Sequence, residues 1–195
     1  MKIDKIYSNK NIIFDGIKLI TPEIFKDERG FFYESWNKKT WNYLMQNYKE
    51  IKNFVQDNVS ESSQGVIRGL HYQMPPYAHG KLINCIKGEI FDVFVDIRHD
   101  SETFGQWAGI ILNDKNHQQV WLPEGFAHGF LTLSKKAKVS YKTTSHYNPK
   151  SERTIRWNDP NIKIKWPKLS INYLLSQKDL NADFFDPKTL TNTYF

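Results

Sequence analysis

The residues best suited to chemistry lie in one short stretch, 65–81, which reads GVIRGLHYQMPPYAHGK. It combines a guanidinium (Arg68), an imidazole (His71) and an amine (Lys81). Histidine titrates near neutrality and lysine can stabilise a developing negative charge, so this set suits proton transfer beside an anion. On composition alone the stretch would be a surface strand with a few charges. A second cluster, PEGFAHGF at Pro123–Phe130, favours the functional interpretation.

These side chains must be positioned by two strands that an irregular loop connects. Pro75 and Pro76 cannot continue a central strand, because proline lacks the backbone N–H that a ladder needs. Strict alternation along the first strand would place Arg68 and His71 on opposite faces. Both can face one site only if the strand bulges, which Gly69 between them permits.

From residue 53 onward the pattern is typical of an all-β domain. Glu89–Arg98 alternates with period two, and Phe91, Val93 and Val95 lie on its fully apolar face. Further short strands are predicted at 104–113, 118–123, 129–133 and 138–146. Many short strands with regular turns indicate a sandwich or barrel. Since no helix alternates with these strands, a parallel α/β sheet is not expected.

The first fifty residues predict a strand, a turn and one helix. Ile17–Phe25 reads as a strand with a bend or edge position at Pro22. The turn KDERG at 26–30 follows, and extended structure resumes at 31–36. A helix is predicted at Asn37–Glu50, with apolar residues at helical spacing: Trp41, Leu44, Met45 and Tyr48.

The length of 195 residues predicts a single domain, residues 1–195, with a sizeable core. N-terminal strands and a C-terminal tail are expected to pack on its barrel. Trp157 and Trp166 are expected to hold the tail in place, and Leu174–Leu180 reads as a turn or a short helix.

Charge and cysteine content exclude several classes of function. The net charge is +6, but the basic residues are spread along the chain, so nucleic acid is not the expected partner. The single cysteine, Cys85, can form neither an intrachain disulfide nor a thiolate metal cluster. The start, MKIDKIYSNK, has no apolar signal core, and no apolar run approaches membrane length. A cytoplasmic protein without membrane contact is expected.

Six segments in a fixed order carry a resemblance to a known family. They are DERGFFYES, FVQDNVSESSQGVIRGLHYQ, GKLINCIKGEIFDVFVDIR, WLPEGFAHGF, VSYKTT and, more loosely, SQKD, running from Asp27 to Asp179. Together they resemble the dTDP-4-dehydrorhamnose 3,5-epimerases, which act on 4-keto-6-deoxy sugar nucleotides. The resemblance covers most of the chain. It implies an all-β, cupin-type jelly roll, a barrel or sandwich with a few short peripheral helices.

The resemblance also implies a reaction: inversion of the carbons that flank a ketone, through an enolate. In this family dTDP-4-dehydro-6-deoxy-D-glucose becomes dTDP-4-dehydro-L-rhamnose, a step in deoxysugar and surface polysaccharide biosynthesis. Such chemistry needs a base, a cation for the enolate oxygen and an acid across the ring. By motif position His71 is the base, Lys81 the cation and Tyr141 the acid. Asp179 matches the carboxylate that orients the histidine, although Asp159 in WNDP competes for that role.

The resemblance further implies a nucleotide-binding shell and a homodimer. The shell comprises Arg29, Glu34, Gln56, Asn58, Arg68, His128, Glu152 and Lys178. Family members are thought to donate residues near DERGFFYE across the interface, so Arg29 is expected to serve the neighbouring subunit. Ile17–Phe25 is predicted to be an exposed edge strand that a partner covers.

No metal and no cofactor are expected. PEGFAHG, which contains His128, follows one half of the cupin metal signature, but the other half is reduced to His71 in GLHYQ. Two histidines without a carboxylate partner make a poor metal site. The chain departs from the family pattern at His79, where the family often has glutamine, and at Ser145-His146. Either departure can alter substrate preference.

Two alternatives to the double epimerase stay open on the sequence. One is a related cupin that epimerises a single carbon or acts as a ketoisomerase on another nucleotide sugar. The other is a catalytically silent, sugar-binding cupin in a regulator. The joint presence of His71, Lys81 and Tyr141 argues against the silent binder, which needs neither an acid nor a base.

Overall fold

The computed structural model describes residues 1–46 and 53–190, and its regular structure consists mainly of short strands. The strands are β1 (Lys2–Asp4), β2 (Lys18–Thr21), β3 (Phe25–Asp27), β4 (Gly30–Phe32), β5 (Gln56–Ser63), β6 (Ile67–Gln73), β7 (Lys81–Lys87), β8 (Glu89–Asp96), β9 (Trp107–Asn113), β10 (Gln119–Leu122), β11 (Phe126–Thr132), β12 (Lys136–Thr143) and β13 (Glu152–Thr154). The helices are α1 (Lys38–Leu44), α2 (Gln177–Leu180) and a 3₁₀ turn at Pro187–Leu190. The predicted all-β class with a few short helices is confirmed. Within the described ranges, no helix has the length and apolar character needed to cross a membrane.

Two antiparallel sheets pack against each other as a sandwich. The first has the strand order β1-β2-β10-β7-β12-β5 and the second β13-β6-β11-β8-β9. Both contribute to the main core, for example through Ile83 from the first sheet and Phe94 from the second. Phe14 closes this core with edge-on ring contacts to Phe94 and Phe126, at centroid distances of 5.8 and 5.7 Å. Fully burying such a side chain contributes ~1.5–3 kcal/mol to folding.

Strand β8 confirms the predicted alternation but is buried on both faces. Ile90 and Phe94 belong to the main core, whereas Val93 and Val95 belong to a second cluster on the outer side of the sheet. The C-terminal tail supplies the cover there, including Phe185. This explains why β8 carries large apolar residues at successive positions, as strands covered on two sides do.

The C-terminal tail packs on the outer side of the second sheet, and a buried carboxylate links its segments. Trp166 packs edge-on against Phe91, and its indole N–H donates to the carbonyl of Trp157 at 2.8 Å. Asp159 is buried and accepts backbone N–H bonds from Asn161, Ile162 and Phe185. Asp159 therefore joins the segment after β13 to the far part of the tail at Phe185.

The prediction that Ile17–Phe25 is an exposed edge strand is wrong about its position in the sheet. Its ordered part, β2, lies between β1 and β10 and is paired on both sides. The edge strand on this side of the sheet is β1, contributed by the first residues of the chain. Sequence alternation gives a strand its faces but not its neighbours, so this pairing was not predictable from the segment itself.

The predicted helix at Asn37–Glu50 is confirmed from Lys38 to Leu44. Asn37 caps it, with its side-chain oxygen accepting the backbone N–H groups of Lys39 and Thr40. Trp41 and Met45 pack with Trp121 of β10, which fixes the helix on the first sheet. The last residues of the prediction, 47–50, lie outside the described part of the chain.

Candidate active site

A cavity of about 370 Å³ opens between the two sheets, and strands of both sheets line it. Eight of the twelve predicted site residues lie in its wall: Gln56, Asn58, Arg68, His71, Lys81, His128, Tyr141 and Glu152. Concave sites of this size with convergent polar groups are the usual form of a small-molecule site. The structure therefore brings most of the predicted set into one place.

A β-bulge in β6 lets Arg68 and His71 share this wall. Across the β6–β11 pair, His128 faces His71 and Phe130 faces Arg68, so three steps on β6 match two on β11. Gly69 sits in the bulge at a φ of 115°, where a Cβ atom would lie 2.5 Å from the His128 carbonyl oxygen. Only glycine fits this contact, and the bulge expected from the sequence is confirmed.

His71 is held by a carboxylate from the C-terminal tail. Its Nε2 lies 2.5 Å from Oδ1 of buried Asp179, which sits in α2 behind the N-cap Ser176. Burial acts to raise the pKa of Asp179, but hydrogen bonds from His71, Ser176 and the Gly69 backbone outweigh it and lower this pKa. The ionised carboxylate favours a proton on Nε2, which leaves Nδ1 free to accept one.

The competing carboxylate is engaged elsewhere. Both oxygens of Asp159 accept backbone N–H groups of the tail, as described above. Of the two candidates that the sequence left open, Asp179 is the one that contacts His71.

Lys81 opens strand β7 and is buried at the cavity wall. Its Nζ donates to the backbone carbonyl of His71 at 3.1 Å. Burial lowers the pKa of Lys81 to about 8, while the carboxylates of Asp92 and Glu152 act in the opposite direction. A buried ammonium whose recorded hydrogen bond is to a carbonyl oxygen is well placed to bind a developing anion.

His128 forms a second buried pair, with Asp92 of β8. The His128 Nε2 lies 2.7 Å from Asp92 Oδ1, and the Asp92 side chain has no exposed surface. Burial lowers the pKa of His128, against the effect of Asp92. His128 therefore lines the cavity with its imidazole paired to Asp92, and its part in substrate binding stays a prediction. Sequence reasoning missed Asp92, although an aspartate inside the apolar run EIFDVFVDIR is itself a signal.

Tyr141 reaches the cavity from the opposite sheet. It lies on β12 of the first sheet, whereas His71 lies on β6 of the second. Burial raises the pKa of Tyr141, although the nearby Arg68 acts to lower it. The phenol is thus protonated at neutral pH and can donate.

The remaining polar residues form the rim. Lys178 does not line the cavity itself, but its Nζ lies 2.5 Å from Oε2 of Glu152, which also accepts from the Tyr147 hydroxyl at 2.9 Å. Burial acts to raise the pKa of Glu152, and these two hydrogen bonds outweigh it and lower the pKa. On the facing strand, the Gln56 amide donates to Asn58 at 2.8 Å.

Two predicted residues are not brought to the cavity of their own chain. Arg29 lies at the tip of the β3–β4 hairpin with 88% of its side chain exposed, paired with Asp27. Glu34 accepts from the Asn37 amide beside α1, in a separate small depression. The cavity of a single chain therefore lacks these two residues, and their part in substrate binding, which for Arg29 was expected across a dimer interface, stays a prediction.

Several wall residues were not in the predicted site set. They are Ser60, Tyr72, Gln73, His79, Phe130, Thr143 and Tyr147. Five of them stand two positions from a predicted site residue: Ser60, Gln73, His79, Phe130 and Thr143. Because side chains two apart on a strand share a face, extending each predicted residue by two positions would have found them.

The described residues contain no group of three or more His, Cys, Asp or Glu side chains that could hold a metal ion. The Nε2 atoms of His71 and His128 each face a carboxylate, at 2.5 and 2.7 Å. This arrangement turns the two imidazoles into separate hydrogen-bonded pairs. The expectation of a metal-independent site remains a prediction, tested below.

Comparison with known proteins finds a matching family model, similar sequences and similar solved structures. A family model for dTDP-4-dehydrorhamnose 3,5-epimerase matches residues 11–186. A protein of that name from Shigella flexneri is 51% identical over 169 residues, which cover 87% of this chain and 91% of the relative. The crystal structure of a 3,5-epimerase from Legionella pneumophila with dTDP-4-keto-L-rhamnose has 45% identity, a TM-score of 0.86 and 97% coverage of both chains.

A more distant structural relative has a different specificity. It is a 3′-monoepimerase from Streptomyces bikiniensis in complex with dTDP-quinovose. Its identity is 32% and its TM-score 0.80, with coverage of 87% of this chain and 83% of that one. These likenesses confirm the predicted cupin-type jelly roll.

Proposed function

The chain belongs to the dTDP-4-dehydrorhamnose 3,5-epimerase family, and from that premise we propose how its site works. It is an isomerase that inverts the carbons flanking the ketone of dTDP-4-dehydro-6-deoxy-D-glucose, giving dTDP-4-dehydro-L-rhamnose. One observation carries the mechanism: His71 and Tyr141 enter a single cavity from opposite sheets, with Lys81 beside them.

The first step is removal of a proton. Nδ1 of His71 takes the proton from a carbon next to the ketone, and the electron pair of that C–H bond moves to the carbonyl oxygen. Asp179, held at 2.5 Å from Nε2, stabilises the imidazolium that forms. The ammonium of Lys81 stabilises the enolate oxygen, and its burial strengthens this interaction.

The second step returns a proton to the opposite face. The Tyr141 hydroxyl donates to the carbanionic carbon of the enolate, and the carbonyl is restored. Because Tyr141 lies on the sheet that faces His71, the new C–H bond points away from the side on which the old one stood. Before the second inversion His71 gives up its proton and the Tyr141 phenolate takes one up, both by exchange with solvent. The same two steps at the other flanking carbon then complete the reaction.

The rim binds the nucleotide in this proposal. The Arg68 guanidinium is a bidentate donor suited to a diphosphate oxygen. Gln56, Asn58, Lys178 and Glu152 offer hydrogen bonds to the remaining polar groups. His128 supports the floor through Asp92, and Arg29 and Glu34 are assigned to a partner subunit's site.

The test of function is turnover of the purified protein on dTDP-4-dehydro-6-deoxy-D-glucose, followed by NMR of the sugar. Inversion at both flanking carbons is expected. Inversion at one carbon would support the alternative of a single-carbon epimerase, the activity of the similar 3′-monoepimerase from Streptomyces bikiniensis. An unchanged sugar would overturn the proposal.

The activity is expected to decline above about pH 8. The pKa of Lys81 is lowered to about 8 by burial, so its charged form dominates below this pH and is lost above it. The free-enzyme profile, kcat/KM against pH, should therefore fall about tenfold per unit on the alkaline side. Lys81→Arg keeps a charge at every accessible pH and should remove this limb, at a lower plateau rate. A wild-type profile that stays flat to about pH 10 would contradict the role of Lys81.

Exhaustive chelation is expected to leave the rate unchanged. In the proposed mechanism the buried ammonium of Lys81 takes the place of a Lewis acid. The measurement is turnover after prolonged dialysis against a strong chelator, with a zinc-dependent hydrolase treated in parallel. If activity is lost and one added metal restores it, His71 and His128 would instead form a metal site.

The protein is further proposed to act as a homodimer, in the cytoplasm, in a pathway to surface polysaccharide. Its β3–β4 hairpin exposes Phe25, Phe31 and Phe32, at 57%, 57% and 69%. Contiguous exposed aromatics of this kind suit burial against a second copy. Sedimentation should give a dimer, and Arg29→Ala should weaken substrate affinity. A fully active monomer would count against this assembly.

A further inference from the structure

His79 stands in the cavity wall two positions before Lys81, the first residue of β7. In an extended chain, residues two apart point to the same side. The intervening Gly80 lies against Trp121, where a Cβ atom would fall 2.2 Å from the indole ring. The close packing of Gly80 fixes the backbone between the two residues, so His79 and Lys81 are presented to the cavity together.

Gln73 determines which nitrogen of His79 carries the proton. The Gln73 Oε1 accepts the backbone N–H of Asn148 at 2.6 Å, which identifies the other end of the amide as nitrogen. That Nε2 contacts the carbonyl of Tyr77 at 2.7 Å, the carbonyl of His146 at 3.1 Å and Nδ1 of His79 at 2.8 Å. An amide NH₂ group only donates, so Nδ1 must be a bare acceptor. The proton of His79 therefore sits on Nε2.

The surroundings also keep His79 neutral. Burial lowers the pKa of His79 to about 3, and the neighbouring Lys81 and His128 act in the same direction. A neutral imidazole with its proton on Nε2 is a hydrogen-bond donor at the ring edge away from Gln73. It is neither a base, because Nδ1 is occupied, nor a second cation.

We propose that the Nε2–H of His79 donates a hydrogen bond to the ketone oxygen of the bound sugar, so that His79 and Lys81 hold this oxygen together as it becomes an enolate. The inference rests on the proposed epimerase activity and names one more residue that touches the reacting atoms. Two convergent donors at a developing oxyanion are a common means of stabilisation. A neutral donor adds this stabilisation without repelling Lys81.

The first test compares two replacements of His79. Phenylalanine keeps a ring but removes the donor, whereas glutamine keeps a neutral N–H. We expect His79→Phe to lower kcat about tenfold to a hundredfold, less than the full loss of an oxyanion donor because Lys81 remains. KM should change by less than about threefold, because the bond strengthens only as charge develops. His79→Gln should stay within about threefold of wild type.

Controls separate this role from a structural one. Gln73 keeps two carbonyl acceptors in either variant, so the fold should hold, as a thermal melt can check. His99→Phe serves as the matched control, since His99 is a half-exposed histidine outside the cavity wall. A wild-type rate in His79→Phe would overturn the inference. Equal losses in the phenylalanine and glutamine variants would also overturn it, since they would indicate proton transfer by the imidazole.

The second test determines the tautomer of His79 by NMR and does not depend on enzyme activity. In two-bond proton–nitrogen spectra of histidine-labelled protein, His79 should show a proton on Nε2 that does not titrate between about pH 5 and 8. The signal is assigned by its loss in His79→Gln. A proton on Nδ1, or titration in that range, would overturn the inference even if the epimerase is active. Conversely, a wild-type protein that is inactive on the keto sugar would overturn the proposed function, whichever nitrogen of His79 carries the proton.

Discussion

Replacing His71 by alanine is expected to abolish epimerisation and, with it, solvent exchange at both carbons next to the ketone. The other basic groups of the wall are already paired, His128 with Asp92 and Glu152 with Lys178, so no enolate should form without the imidazole. A general base contributes ~10²–10⁴-fold, and the loss should reach at least that range. Both quantities are measured in one experiment, by NMR of the sugar in deuterated water.

Asp179→Asn supplies the matched control for this prediction. The amide keeps the shape of the side chain but removes the charge that faces Nε2 at 2.5 Å. Exchange and inversion should therefore fall together, and less steeply than in His71→Ala. Binding of dTDP should survive in both variants, because the rim residues are unchanged. If the asparagine variant were fully active, the His71–Asp179 pair would be only structural.

Replacing Tyr141 by phenylalanine is expected to separate exchange from inversion. The base is intact in this variant, so deprotonation continues and His71 can return a proton to the face from which it came. Deuterium should then enter the sugar without inversion, or with inversion at one carbon only. A rate defect of ~10²–10⁴-fold in complete epimerisation should accompany this.

The phenylalanine ring preserves the packing of Tyr141, which is half-buried against the main core. The fold should therefore hold, and a thermal melt close to wild type serves as the control. A correctly folded Tyr141→Phe protein with full activity would mean that Tyr141 is an ordinary strand tyrosine. The acid would then have to be sought elsewhere in the wall.

Local chemistry in the sequence predicted much of this site. The alternating strands, the turn at KDERG and the need for a bulge at Gly69 follow from steric rules that act over a few residues. The eight predicted residues that meet in the cavity came from motif positions, and their placement agrees with those motifs. Their individual roles stay predictions until the variants are measured.

What the sequence did not reveal depends on contacts between distant segments. The interior position of β2 follows from its pairing with β10, about a hundred residues later. The choice between Asp159 and Asp179 follows from where the tail docks, and the pairing of Asp92 with His128 follows from the β8–β11 register. Alternation fixes the face of a residue, but only the assembled sheets decide which faces meet.

For His79 the sequence predicts the position of the residue but not its protonation state. Its position two residues before Lys81 is plain in the sequence, and the rule of alternation would have placed it in the wall. Its protonation state is not readable there, because Gln73 and the carbonyls of two separate loops determine it. Chemistry of this kind is visible only once the donors and acceptors are counted in three dimensions.

The most direct test of the whole account is the deuterium content of each sugar carbon when wild type and His71→Ala act on dTDP-4-dehydro-6-deoxy-D-glucose in deuterated water. The account predicts one solvent deuterium at each inverted carbon with wild type and none at either carbon with His71→Ala. Exchange at the wild-type rate in His71→Ala would contradict the mechanism at its first step. So would a wild-type product that retains the original hydrogens at the inverted carbons.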